Sequence, residues 1–293
     1  MITKFGKRFL TNFIAGNSSF ANKEIAIGIA NNAEYPLSDT NSRLGFEFYR
    51  LPTRVGGIDI DASVTPTKYT VIYSATIPTN VAGKINEIGI YPGIRSSKNY
   101  FDSKFITDFE LPFDWTPTPD IDQSNFRVGD SSLIFKSNGT SEQEYILPLN
   151  GFDLSGYNAL DTICFSYKVN NSLLSEIKIK FYSVYDSAIS SNNKYYQVVF
   201  NGHSVGNNIK EKNISDLVAV NSPNINNITH LGISIVPTTG EASVSVDGLR
   251  INDEDTFDPL YGLIARSILP TEITKVLGRE SQIEFKLDLS FGE

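Results

Sequence analysis

Residues 69–91 constrain the fold more than any other stretch. Tyr69, Val71, Tyr73, Ala75 and Ile77 recur at every second position, the pattern of a strand with one buried face. Pro78 and Gly83 bracket a turn-prone segment. Ile85, Ile88 and Ile90 then bring the chain back, with Gly89 leaving room for close backbone approach. Together the two runs read as a β-hairpin. Helical spacing is confined to the start of the chain. There Phe5, Phe9 and Phe13 stand four apart behind Thr3, predicting one capped helix over about residues 4–15.

The same alternation recurs on both sides of the hairpin. Ile25, Ile27 and Ile29 predict one strand, and Leu44, Phe46 and Phe48 another that ends at Arg50, Leu51 and Pro52. Residues 55–67 read as a turn-rich passage. Beyond Pro92 the pattern changes. Ile163, Phe165, Tyr167 and Val169 face one way, and Ile177, Ile179 and Phe181 oppose Lys178 and Lys180. Further strands are expected over 195–200, 231–236 and 242–246. Many short strands separated by polar turns, with no helical pattern between them, predict an antiparallel β-sandwich. After the acidic run Asp253, Glu254, Asp255 the pattern of residues 24–91 returns. A short strand is expected over 263–268. Then Ile283, Phe285, Leu287, Leu289 and Phe291 alternate with polar residues.

Bulk properties remove several function classes. A net charge of −8 supplies no basic excess to neutralise phosphates, so nucleic acid is not an expected partner. The single Cys164 excludes an intrachain disulfide framework and a multi-cysteine zinc site. Polar residues interrupt the apolar positions of residues 1–15, so no signal peptide is read there. No apolar run reaches the roughly 18 residues of a membrane span, and no membrane insertion is expected.

The motif order has a likeness. An alternating strand, Ile77-Pro78, Gly83 and then Glu87-Ile88-Gly89-Ile90-Tyr91 resembles the N-terminal domain of bacteriophage tail-collar fibre proteins, as do Gly28, Leu44, Arg50 and Pro52 before it. Leu263, Ala265, Ser267, Lys275, Gly278 and the run over 283–291 match that family's closing segment. Between them, Phe109-Glu110, Trp115, Leu133, Phe135 and the run 246–251 resemble carbohydrate-binding jelly-roll modules. The resemblance implies a mainly β protein: a small α+β attachment domain with a short N-terminal helix (1–97 plus 256–293), interrupted by an inserted antiparallel β-sandwich of jelly-roll type (98–255). It implies a virion structural protein, a fibre-like or adaptor component of tail, collar or baseplate, made in the host cytoplasm. Other virion proteins would be its partners, a homotrimer its assembly, and a host-surface glycan its ligand. Competing readings are a capsid decoration or head-fibre protein, a glycan-active enzyme displayed on the virion, and a free bacterial lectin.

No catalytic constellation is read. His203 and His230 are the only histidines, and no motif sets either between a nucleophile and a carboxylate. The candidate glycan contacts are Trp115, Tyr182, Tyr185, Tyr195 and Tyr196, because aromatic faces stack on sugar rings. For Trp115 a plug under the sandwich edge is the competing, favoured reading. Asp247, Asp253 and Asp255 are the candidate oxygen ligands for a structural Ca²⁺, the sole cofactor considered. A solvated acidic linker is the competing reading for that run.

Overall fold

A computed structural model describes residues 1–16, 23–92, 105–252 and 262–290. The chain divides into two compact units, Met1–Ser103 with Asp255–Glu293, and Lys104–Glu254. It is mainly β, with a single α-helix among the described residues.

The outer unit opens with α1 (Lys4–Ile14), where Thr3 caps the helix by accepting from the Gly6 amide at 2.9 Å. Five strands follow: β1 (Glu24–Ile29), β2 (Phe46–Pro52), β3 (Arg54–Asp61), β4 (Lys68–Ile77) and β5 (Gly83–Tyr91). The inserted unit carries β6 (Phe105–Thr107), β7 (Asp120–Asp122), β8 (Ser132–Lys136), β9 (Gln143–Phe152), β10 (Thr162–Val169), β11 (Leu174–Val184), β12 (Lys194–Phe200), β13 (Gly206–Asn213), β14 (Val218–Val220), β15 (Ile228–Pro237) and β16 (Ser243–Asn252). The chain then completes the outer unit with β17 (Ala265–Lys275) and β18 (Ser281–Ser290).

Two sheets build the outer unit, in the orders β17-β5-β1-β2 and β18-β4-β3. All six residues of β1 are buried, as a central strand covered on both faces should be. Its apolar core adds Leu44, Phe46, Ile88, Ile90 and Leu263. The start of the chain is stitched to the segment that returns to this unit: the Met1 amino group donates to Arg266 O at 2.7 Å, and the Thr3 amide to Ile264 O at 3.0 Å. Gly6 lies so close to Ile264 O that a Cβ there would collide with main chain. Arg266 Nε and Glu87 Oε1 form a wholly buried ion pair. Arg266 also donates to Asn41 Oδ1 at 2.6 Å and to the carbonyls of Pro36 and Tyr35 at 3.1 and 3.0 Å.

Three expectations need correction here. The runs over 69–77 and 83–91 are both strands, but they are not a hairpin. β4 pairs with β3 and β18, whereas β5 pairs with β1 and β17, so residues 78–82 carry the chain from one sheet to the other. The passage read as turns contains β3, whose register against β4 skips between Val55 and Gly57. A bulge at Gly56 restores the alternation that two adjacent glycines disguise. The short strand expected over 263–268 runs on to Lys275, with its register against β5 broken between Ile268 and Ile273. Pro270, which has no amide hydrogen to donate, lies in that break.

The inserted unit is a sandwich of antiparallel sheets. One has the order β13-β10-β16-β8-β7, with β6 also on β16; the other is β14-β12-β11-β15-β9. Ile163, Phe165, Tyr167, Ile177, Ile179, Phe181, Ile233, Val246 and Leu249 belong to one buried apolar cluster, as the alternation requires.

Candidate functional site

The outward face of the five-stranded sheet gathers the sandwich's aromatic and charged side chains. On β11, Ile177, Ile179 and Phe181 point into the core, so Lys178, Lys180 and Tyr182 point out. Register sets Tyr182 opposite Tyr195 of β12 and His230 of β15. Lys180 stands opposite Gln197 and Gly232, and Ser234 opposite Glu144 of β9. A row of aromatic rings thus adjoins rows of opposite charge.

Tyr182 is the base of this patch. It is only 2% exposed although it leaves the core face. Its ring lies 4.9 Å from Tyr195 and 5.2 Å, edge-on, from Tyr185. The ring of Tyr185 is in turn 5.0 Å from His230. Gly232 makes the arrangement possible, since a Cβ there would come within 2.8 Å of both Glu144 Oε1 and the Tyr182 ring. In the space left, the Tyr182 hydroxyl donates to Glu144 Oε1 at 2.8 Å. Burial, then the Glu144 carboxylate, push the Tyr182 phenol far above its ordinary range, so it stays a donor. Burial pulls His230 below its usual value, favouring the neutral ring. The charged rows interlock: Lys178 reaches Glu142 at 2.6 Å, and Lys180 reaches Glu144 at 3.0 Å and Glu142 at 3.6 Å. Burial works against the Glu142 carboxylate, but Lys178 and Lys180 outweigh it and hold the group below its ordinary value. Half-exposed rings beside fixed hydrogen-bonding groups suit a flat ligand carrying many hydroxyls.

Three of the expected residues, Tyr182, Tyr185 and Tyr195, therefore come together, but only Tyr185 and Tyr195 keep exposed surface, while Tyr182, 2% exposed, supports them and offers no face of its own to a ligand. Two do not. Trp115 is 2% exposed, stacked 5.4 Å from Phe109 and edge-on 5.0 Å from Phe135, so it is the plug and offers no face to a ligand. Tyr196 packs on the core side and donates to Pro223 O at 3.2 Å. Adjacent residues of a strand face opposite ways, so Tyr195 and Tyr196 cannot both join one patch. His230, Lys178, Lys180, Glu142 and Glu144 were not among the expected contacts. The other histidine, His203, contacts the Tyr167 hydroxyl at 2.5 Å and Phe200 O at 3.1 Å.

Of the expected metal ligands, Asp253 and Asp255 lie outside the described residues. Asp247 is 2% exposed on β16. Its Oδ2 accepts from the amides of Arg127 and Val128, while Oδ1 is buried without a hydrogen-bond partner. Glu110 lies close enough to act on it electrostatically. Glu110 Oε1 accepts from the Asp130 amide at 3.1 Å, and Oε2 from the Ser131 hydroxyl at 2.7 Å. Burial raises Glu110 to about 7 and Asp247 well above its ordinary value. A buried carboxyl with an oxygen left over, beside a second, half-buried one, fits a hard, oxygen-seeking cation such as Ca²⁺. Among the described residues no three His, Cys, Asp or Glu side chains converge, so backbone carbonyls would have to complete the shell.

No family model matches the chain, and no curated protein does either. Similar solved structures include the family 11 carbohydrate-binding module of Clostridium thermocellum in complex with a β-1,3-1,4-mixed-linked tetrasaccharide, 13% identical with a TM-score of 0.39, over 51% of this chain and 95% of that one. The family 30 module of a cellulosomal cellulase from the same organism is 16% identical, with a TM-score of 0.38, over 62% and 98%. An agarase is 10% identical, with a TM-score of 0.37, over 53% and 25%.

Proposed function

We propose that the chain is a structural component of a bacteriophage virion that binds host-surface glycan through the outward face of its inserted sandwich. The observation carrying the glycan half is the cluster of Tyr182, Tyr185, Tyr195 and His230, bordered by the Lys178, Lys180, Glu142 and Glu144 network. The virion half rests on the motif order of the outer unit, which resembles the tail-collar fibre family. On this reading the outer unit attaches to neighbouring virion proteins and self-associates. The sandwich acts by adhesion, with no hydrolytic step. A titration of the full chain with host-surface polysaccharide tests the glycan half. Tyr185→Ala and Tyr195→Ala should each weaken binding roughly twofold to thirteenfold, from about 0.5–1.5 kcal/mol per aromatic contact. Binding that is unaffected by both substitutions would sink the assignment. A reconstruction of the intact particle tests the virion half. It also separates a tail or collar position from a capsid decoration.

A structural Ca²⁺ at Asp247 and Glu110 belongs to the same proposal, on the strength of the unpartnered Asp247 Oδ1. Calcium at about a hundred times its Kd should stabilise the sandwich by about 2.7 kcal/mol. The melting temperature should therefore rise with Ca²⁺ and fall with EDTA, and Asp247→Asn should abolish the response. Identical melting in Ca²⁺ and EDTA would rule the ion out.

A further inference from the structure

The most exposed apolar strand of the outer unit is β3, at the edge of the sheet β18-β4-β3. Val55, Ile58 and Ile60 are 61%, 67% and 58% exposed. An open edge carrying apolar side chains is a template for another strand. With Gly56 bulged out, seven residues stay in register: 54, 55 and 57–61. Val55, Ile58 and Ile60 line one face, level with Tyr73, Val71 and Tyr69 of β4; Arg54, Gly57, Asp59 and Asp61 line the other. The strand is basic at its start and acidic at its end.

We propose that β3 pairs antiparallel with β3 of a second copy of this chain, about a two-fold axis at Ile58. Keeping the skip at Gly56, Arg54 then faces Asp61 of the other copy, Val55 faces Ile60, Gly57 faces Asp59 and Ile58 faces its own counterpart. Both charged ends match, and every apolar residue meets an apolar residue. A two-residue slip in one direction sets Asp59 against Asp59. In the other direction it leaves Ile60 unmatched, and parallel pairing sets Arg54 against Arg54. Opposite charges across strands stabilise and like charges destabilise, so one register is selected. Lys68, opposite Asp61 on β4, is already held by Asp288 at 2.8 Å. Such a contact is isologous, the usual geometry of a homodimer, and it forms whether or not the chain sits on a particle.

Sedimentation equilibrium of the full chain tests it, with a mass twice the 32.4 kDa of one copy expected. Arg54→Asp and Asp61→Arg each reverse a charge at both ends of the contact. At roughly tenfold per like-charge contact, each should weaken association about a hundredfold. Mixing the two variants in equal amounts should restore the dimer, because every contact is then matched again. Ile58→Lys should leave a monomer with an unchanged melting curve, since the side chain is exposed. A monomeric or three-copy parent, single variants that associate as tightly as the parent, or a mixture no tighter than its components would overturn the proposal.

Discussion

Arg266→Ala is expected to cost the outer unit about 3–5 kcal/mol, the penalty for leaving a buried charge without its partner. Domains have only about 5–15 kcal/mol in total, so this substitution should bring the unit close to unfolding. The cause is local. Arg266 and Glu87 are both fully buried, and the same guanidinium satisfies Asn41 and the carbonyls of Tyr35 and Pro36. Its removal strands these acceptors in the segment that ties residues 35–45 to the returning chain. Arg266→Met with Glu87→Gln should recover part of the loss, because no bare charge remains inside. Denaturant titration reads both effects; an Arg266→Ala protein within 1 kcal/mol of the parent, about the range of an exposed ion pair, would refute this account. Glu87 also sets a pH dependence. Burial, partly offset by Arg266, raises its pKa from 4.5 to about 7. A carboxyl raised on folding favours the folded state below its unfolded value and loses that contribution as pH climbs through about 7. From this group the outer unit should be more stable at pH 5 than at pH 8, and Glu87→Gln should flatten the difference.

Trp115→Ala should destabilise the sandwich by about 3–5 kcal/mol, the usual cost of emptying a large aromatic site in a core. The ring sits among Phe109, Phe135 and the rest of one continuous apolar cluster. Neighbouring strands cannot collapse into so large a hole without losing their own packing. Trp115→Phe should cost markedly less. Because the indole faces inward, glycan affinity per folded molecule should stay within about twofold of the parent, a change under 0.5 kcal/mol. A Trp115→Ala protein that melts normally yet no longer binds would restore the stacking reading and overturn the core role.

Much of this architecture is written in period-2 alternation. The runs around Tyr73, Phe165 and Ile179 announce both strand and inward face, because a half-buried strand can satisfy its two environments in no other way. Pairing is less legible. Nothing in residues 69–91 says that the two runs join different sheets, since partner choice depends on strands that arrive from β1, β3, β17 and β18. β3 hid behind Gly56 and Gly57, which read as a turn, whereas Gly56 bulges out and Gly57 pairs with Ile72 of β4. The aromatic patch was half visible. Three tyrosines stood out as residues, whereas His230 and the two lysine–glutamate rows join them only through cross-strand register. Tyr196 could have been discarded from sequence alone, as the neighbour of an outward Tyr195.

A crystal structure of the chain with an oligosaccharide from the host surface tests the central claim most directly. The account predicts a sugar ring stacked on Tyr185 or Tyr195, with its hydroxyls bonded to groups among Lys178, Glu142 and His230. An oligosaccharide that binds with Tyr185 and Tyr195 untouched, held on another face of the protein, would contradict it.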